Sequence, residues 1–518
     1  MREWWKDGVI YQIYPRSFQD TTGTGVGDLK GIESRLDYLE RLGIDAIWIS
    51  PIFPSPMKDA GYDVSDYTGI DPTFGTLEDF ESLTAAAHAR GMKVLLDFVP
   101  SHTSDQHPWF QEARASKDSP KRDWYVWRDP GPDGGPPTNW ISEFAGPAWT
   151  LDEATGQYYL HIFLTEQPSL NWRNPELRAA MYDVMRVWFD RGVDGFRVDA
   201  VENMAPDPEA GDNPPNPEWV ESMGPARSHL GTNTKHLPVI FEIAREMRAV
   251  AEEYDPPRLL VGEAYGEIPQ VMKYYGDALD AFQQPFNFLL IEAPWEAETL
   301  AGLIADYEAA LPEGAWPNWV LGNHDRARIA SRVGPAQARN AMLMLLTLRG
   351  TPTIYQGDEL GMENVAIPPD RVQDPWEKNV PGQGLGRDPV RTPIAWEEAP
   401  FGGFSTVEPW LPMDLGAARI VARQEEDEAS MLAFTRALLA LRKETPALTR
   451  GSLEEVRAEG AVLRYTRRLG ETRLEVALNT GTTPAEIDLA GALLVSTHPG
   501  AEAGGPLRPG EGRVTRAG

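Results

Sequence analysis

Short apolar runs alternate along most of the chain with longer stretches whose apolar residues recur at helical spacing. Residues 9–14 read as a first strand, 29–42 as a helix, 45–49 as a second strand and 93–99 as a third. Residues 103–171 then lose sustained periodicity and are rich in Pro, Gly and Trp, which predicts an inserted subdomain. The alternation resumes with a helix over 175–191 and strands ending at Asp199 and Glu263. A sixth strand is predicted near 282–288, a seventh at 319–323 and an eighth at 352–356. Eight βα units predict an α/β fold, a closed parallel (β/α)8 TIM barrel formed by residues 1–102 and 172–448. A helix over 429–443 and strand composition at 461–465 and 474–478 predict a C-terminal all-β domain over 449–518. Residues 203–236, rich in Pro, Asp, Asn and Gly, are read as a long loop on the catalytic rim of the barrel.

Composition narrows the partners. The chain has 518 residues, 42% of them hydrophobic, enough for a large core. Its 78 acidic residues outweigh 48 basic ones, for a formal charge of -30, which repels phosphate backbones and anionic lipid. Nucleic acid and membrane are therefore not expected as partners, and the acidity reads as a soluble surface. With no cysteine, disulfides and thiolate metal sites are excluded. The opening segment lacks a basic head followed by an apolar stretch of signal length, so a cytoplasmic protein is expected, as a monomer or small homo-oligomer.

The candidate chemistry lies where three apolar runs break off, at Asp199, Glu263 and Asp325. Acids at the ends of parallel barrel strands converge at one rim. Paired carboxylates there suit the cleavage of glycosidic bonds. Side chains two apart on a strand share a face, so Arg197 and Asp199 enter the barrel mouth together. The arginine is expected to hold Asp199 ionised as a nucleophile. Glu263 follows Leu259-Leu260-Val261, and a carboxyl against apolar walls keeps its proton, as a general acid must. Asp325 and His324 can grip sugar hydroxyls, and His102 after the third strand can donate a further hydrogen bond. Taken singly, each acid reads equally well as a structural ion pair or a solvated strand end. Three on three strand ends favour catalysis. No His or carboxylate spacing fits a zinc site.

Five segments carry a resemblance: residues 97–102 (Asp-Phe-Val-Pro-Ser-His), 195–199 (Gly-Phe-Arg-Val-Asp), the Glu263 strand end, 323–325 (Asn-His-Asp) and 350–359. Together they are similar to the α-amylase family of glycoside hydrolases, in particular its oligo-1,6-glucosidase and α-glucosidase branch, over roughly residues 3–480. The resemblance implies Asp199 as nucleophile, Glu263 as acid/base and Asp325 as transition-state stabiliser, with Arg197, His102 and His324 around the first sugar. It further implies that Asp59 and Tyr62 close the blind end of an exo-acting pocket and that Arg387 reaches the same terminal glucose. Phe144, Phe163 and Gln167 fall where the branch places pocket-lining residues.

Three departures from the family pattern matter. Ser169 stands where the branch usually has Asp, and Ser101 where an asparagine is usual. The segment from Asp20 to Asp28 is similar to the branch's divalent-cation loop, but Thr22 and Thr24 replace the usual Asn and Asp. With two carboxylates instead of three, weak or absent Ca2+ or Mg2+ binding is expected there, and no cofactor is required. Ala200, after the nucleophile, stands where Val tends toward α-1,6 and Thr toward α-1,4 bonds, so linkage stays open. The expected activity is release of α-glucose from short oligosaccharides or disaccharides of the maltose, isomaltose and sucrose type, with some transglucosylation. An oligo-1,6-glucosidase, or an isomerase such as trehalose synthase or sucrose isomerase, is the alternative. A transporter-associated relative without catalytic acids is disfavoured by the intact trio.

Overall fold

The structure is a computed structural model that describes residues 3–489 and 491–517. Its first three strands, β1 (Ile10–Ile13), β2 (Ala46–Ile49) and β3 (Lys93–Phe98), lie parallel and adjacent. The chain then leaves to form a small antiparallel sheet of β4 (Trp127–Arg128), β5 (Trp149–Asp152) and β6 (Gln157–Leu160), with β6 central. It returns to lay down β7 (Gly195–Val198), β8 (Leu259–Gly262), β9 (Gln284–Asn287), β10 (Asn318–Val320) and β11 (Thr351–Tyr355) in order. Because β11 also pairs with β1, Thr353 opposite Ile10, the eight parallel strands close into a barrel. Each predicted barrel strand is present, within a few residues of its expected bounds.

Alternation along each strand separates two cores. Ile10, Trp48, Leu95, Val261, Phe286 and Val320 fill the barrel interior. Their neighbours, such as Tyr11, Ile47, Leu96 and Leu260, face outward onto the surrounding helices. Gly195 is required on the inner face of β7, since a Cβ there would lie 2.4 Å from the Leu259 carbonyl oxygen.

The helices begin where the sequence supplies caps. Asn174 accepts from the backbone N–H groups of Glu176 and Leu177 at the start of the helix Pro175–Asp190. Thr76 and Asp79 form a reciprocal capping box ahead of Leu77–Ala89. The single helix predicted over 29–42 is instead two, Leu29–Ser34 and Leu36–Leu42. The break falls at Arg35, whose guanidinium is drawn onto Gln19 Oε1 at 2.6 Å and over the Trp396 ring.

Beyond the helix Met431–Glu444, strands β12 (Ser452–Glu459), β13 (Val462–Leu469), β14 (Thr472–Asn479), β15 (Ala492–Ser496) and β16 (Gly512–Ala517) form one antiparallel sheet. One buried guanidinium, that of Arg467, ties it to the barrel, and a second, Arg442, secures the helix that precedes it. Arg442 donates to the Leu346, Leu448 and Gly350 carbonyls, and Arg467 of β13 donates to those of Thr347 and Gly451. No helix among the described residues is long and apolar enough to cross a membrane.

Candidate active site

At the C-terminal ends of β7 and β8 the ladder runs on by one residue. Asp199 N–H donates to the Phe98 carbonyl at 2.8 Å, and Glu263 N–H to that of Val198 at 2.9 Å. The chain then turns sharply, with Ala200 in the left-handed region (φ 44°, ψ 43°), so that its N–H reaches Glu263 Oε2 at 2.9 Å.

Both acids meet on Arg197. Its Nη1 lies 2.6 Å from Asp199 Oδ1 and 2.7 Å from Asp97 Oδ1, while Nη2 lies 2.5 Å from Glu263 Oε2. One buried guanidinium thus faces three carboxyls and brings those of Asp199 and Glu263 side by side. The Arg197 ion pair favours an ionised Asp199, and burial opposes it. Burial pushes Asp199 up to about 7 and Glu263 up to about 7; Arg197 opposes the rise and neighbouring carboxylates add to it. Two acids side by side retain one proton between them.

Asp325, after β10, behaves oppositely. Burial opposes ionisation there too, but His324 at 3.3 Å, Arg387 at 3.3 Å and Arg391 at 2.7 Å hold its carboxyl far below the usual range. The third carboxylate is therefore a fixed negative charge.

The blind end is built on Arg387. Its Nη2 pairs with Asp59 Oδ1 at 2.7 Å, and its guanidinium lies against the Phe144 and Trp376 rings. Gln167 Nε2 donates to the other Asp59 oxygen, and Phe163 packs edge-on to Phe144 and against His102. Tyr62 stacks on His324, ring centroids 5.3 Å apart and 3° from parallel.

Both histidines are occupied inside the protein. His324 Nδ1 meets the Gln12 amide at 2.7 Å and its Nε2 meets Tyr62 Oη at 2.7 Å, and that hydroxyl donates on to Asp97. His102 Nε2 donates to the Tyr62 carbonyl, and its Nδ1 meets Ser101 Oγ. Burial keeps His102 neutral, pushed down to about 4, and likewise drives His324 well below the usual imidazole range. His324 Nε2 also lies 3.3 Å from Asp325 Oδ2, beside the cavity that His102 lines.

These groups border a cavity of about 740 Å3, within the size range of small-molecule sites. Asp59, Tyr62, His102, Phe144, Phe163 and Arg387 line it, as do Asp199, Glu263 and Asp325. Arg197, Gln167 and His324 lie just behind, at most 2% exposed. Residues from the 203–236 loop, among them Asn203, Lys235 and His236, complete the rim.

Several members of the site carry no signal in the sequence. Asp374 fixes Arg387 by accepting from its backbone N, Nε and Nη2. Glu143 of the inserted subdomain pairs with Lys235 of the long loop at 2.6 Å, and its carbonyl accepts from Trp376 Nε1. Glu202 lines the cavity with Oε2 unpartnered within the protein, and burial pushes it up to about 7. Only the inserted and aperiodic character of these segments was visible.

The loop at Asp20 and Asp28 uses its carboxylates internally. Asp20 accepts from Thr22 N, Gly23 N, Gly25 N and Ser405 Oγ, and Asp28 from Thr21 N, Thr21 Oγ1 and Gly31 N. As arranged, these donors do not suit a divalent cation, whose ligands must all present lone pairs. No cluster of three or more metal-ligating side chains occurs among the described residues.

A family model described as alpha amylase, catalytic domain, matches residues 12–451. The chain is 43% identical to the probable alpha-glucosidase of Rhizobium meliloti (strain 1021), over 94% of this chain and 91% of that protein. It is 38% identical to the oligo-1,6-glucosidase of Parageobacillus thermoglucosidasius, over 92% and 90%. Among solved structures, an alpha-glucosyl transfer enzyme superposes with a TM-score of 0.94 at 39% identity, both chains covered completely. The isomaltulose synthase of a Klebsiella species (strain LX3) superposes with a TM-score of 0.92 at 33% identity, over 99% of each chain.

Proposed function

The chain belongs to the α-amylase family of glycoside hydrolases, and from that premise we propose that it is a retaining, exo-acting α-glucosidase of short α-linked gluco-oligosaccharides. The observation that carries this reading is the sharing of one guanidinium, Arg197, by Asp199 at 2.6 Å and Glu263 at 2.5 Å, which sets the two carboxyls side by side. Carboxyls about 5 Å apart suit a covalent glycosyl intermediate, whereas inverting enzymes leave room between them for water.

In this mechanism the ionised Asp199 attacks the anomeric carbon while Glu263 gives its proton to the departing oxygen. Glu263 then takes a proton from water, or from a sugar hydroxyl, as that oxygen displaces Asp199. Asp325, held ionised by two arginines, stabilises positive charge developing on the ring. Asp59 and Arg387 hold the hydroxyls of the terminal glucose, and Tyr62 stacks against it. The mechanism needs no metal, and we infer that the Asp20 to Asp28 turn holds none tightly. A cytoplasmic monomer or small homo-oligomer belongs to the same reading.

A panel of maltose, isomaltose and sucrose tests it. Free glucose, released first as the α anomer, is expected from more than one of them. Inversion of the anomer, or no release from any, would refute the reading. The likeness to an isomaltulose synthase supports a second possibility, in which the freed sugar is rejoined at a new linkage. Isomaltulose or trehalulose as the main product from sucrose would select it.

A further inference from the structure

Burial pushes three carboxyls in the walls of the catalytic cavity up to about 7, and the mechanism uses only two of them. The third is Glu202, three residues beyond Asp199 and 4% exposed. Its backbone is fixed from two sides. The short turn Val201–Asn203 that carries it is bonded to the acid/base itself, since the Glu263 carbonyl accepts from Val201 N–H at 3.0 Å. The Glu202 carbonyl in turn accepts from His236 N–H at 3.0 Å, where the long rim loop ends.

The side chain has no comparable tie. Its Oε2 is shut off from solvent and accepts no hydrogen bond within the protein. Leaving a buried polar atom unpaired is costly, so its retention calls for a role. Lys235 faces Glu202 and favours its ionisation, but that ammonium is drawn onto Glu143 at 2.6 Å. His236 is neutral, pushed down by burial to about 4, and its Nδ1 meets Tyr274 Oη at 3.0 Å. Burial and the Glu202 charge keep Tyr274 protonated. The remaining neighbour is Glu263, whose charge repels that of Glu202.

The two halves of the reaction ask opposite things of Glu263. It must hold a proton until the leaving oxygen departs, then take one from water. In the resting site the charge on Asp199 helps to keep that proton in place. Once Asp199 carries the glucosyl unit its charge is gone, while Arg197, 2.5 Å from Glu263, remains and weakens it as a base. Asp325 is offset by Arg387 and Arg391, whereas among the described residues no cation pairs with Glu202. We propose that Glu202 is a positioning residue for the acid/base step, its charge keeping Glu263 a strong enough base in the glucosyl-enzyme, where Asp199 no longer does so. This rests on the glucosidase reading above. In the step it assists, the water oxygen bonds to the anomeric carbon as its proton passes to Glu263. The bond from that carbon to Asp199 breaks, and its electron pair returns to the carboxylate.

Glu202→Gln keeps the shape of the side chain and removes its charge. With a nitrophenyl α-glucoside as substrate, the basic limb of kcat/KM is expected to move down by about one pH unit. Loss of the glucosyl-enzyme at pH 8, followed by rapid quenching and mass spectrometry, should slow about threefold, a base weaker by about one unit with half of that expressed in the rate. A limb unmoved by Glu202→Gln overturns the proposal, as does an unaltered loss of the glucosyl-enzyme. So does a higher KM with the limb in place, since Glu202 would then be a wall contact only. Should Glu202→Gln fail to fold, Lys235→Met decides by the same limb. Withdrawing that cation should move it up, and a limb that stays or moves down overturns the proposal. A wild-type chain that releases no glucose from any α-glucoside refutes the glucosidase reading instead, a result that a shifted limb in an active enzyme keeps apart.

Discussion

Asp199 and Glu263 compete for one guanidinium and hold one proton between them, and this decides how activity depends on pH. Turnover requires Asp199 ionised and Glu263 protonated, and both are pushed up to about 7. We therefore expect kcat/KM to follow a bell with its maximum near pH 7, and a flat profile between pH 5 and 9 would contradict the arrangement. Asp199→Ala and Glu263→Gln should each lower turnover of an aryl α-glucoside by about a thousandfold or more. Stability follows the same groups. Acids raised by burial favour the folded state most below the ordinary carboxylate range, and that advantage is lost as pH rises through 7. Glu263→Gln should thus be more stable than the wild type at pH 8, on the order of 2 kcal/mol, with the difference gone near pH 4 by thermal unfolding. Asp374 acts through Arg387. Asp374→Asn should raise KM for maltose about tenfold, roughly the loss of one charge-assisted hydrogen bond, with a smaller effect on kcat. Asp199, Glu263 and Asp325 were legible because each ends a buried apolar run. Asp374 was not, because nothing local in an aperiodic loop says which guanidinium its carboxyl will meet.

Among the elements, those with a period were readable and those whose position depends on distant packing were not. Eight strands and the helices over 175–191 and 429–443 announce themselves by periodicity. The meeting of three rim segments at Glu143 and Phe144 does not. Lys235 reaches Glu143 from the long loop, while Trp376 and Asn379 donate to the carbonyls of Glu143 and Phe144 from the segment before Arg387. Asp28 has a plainer task, accepting from Gly31 N at the start of Leu29–Ser34 and from Thr21. Asp28→Ala should cost about 1–2 kcal/mol in unfolding free energy, the usual penalty for a lost cap. A chelator should leave the melting temperature unchanged, and micromolar calcium affinity by calorimetry would show that the turn holds a metal after all.

At the scale of the whole molecule, Arg467 joins barrel and C-terminal sheet and Arg442 anchors the helix before that sheet, each by carbonyl oxygens and without an ion-pair partner among the described residues. Burial pulls Arg442 down to about 10 and Arg467 to about 9, so both remain charged at neutral pH and bond to carbonyl oxygens alone. Arg467→Met leaves those oxygens buried and unpaired, and should lower stability by about 2–3 kcal/mol in denaturant titration. Closure of the barrel has a different consequence. Because β1 completes its pairing only with β11, the first strand must wait for more than three hundred further residues before its second edge is covered. A chain emerging from the ribosome therefore carries an open, sticky sheet edge through most of its synthesis, and the sugar site comes into being late, all at once, when the two ends of the ring meet.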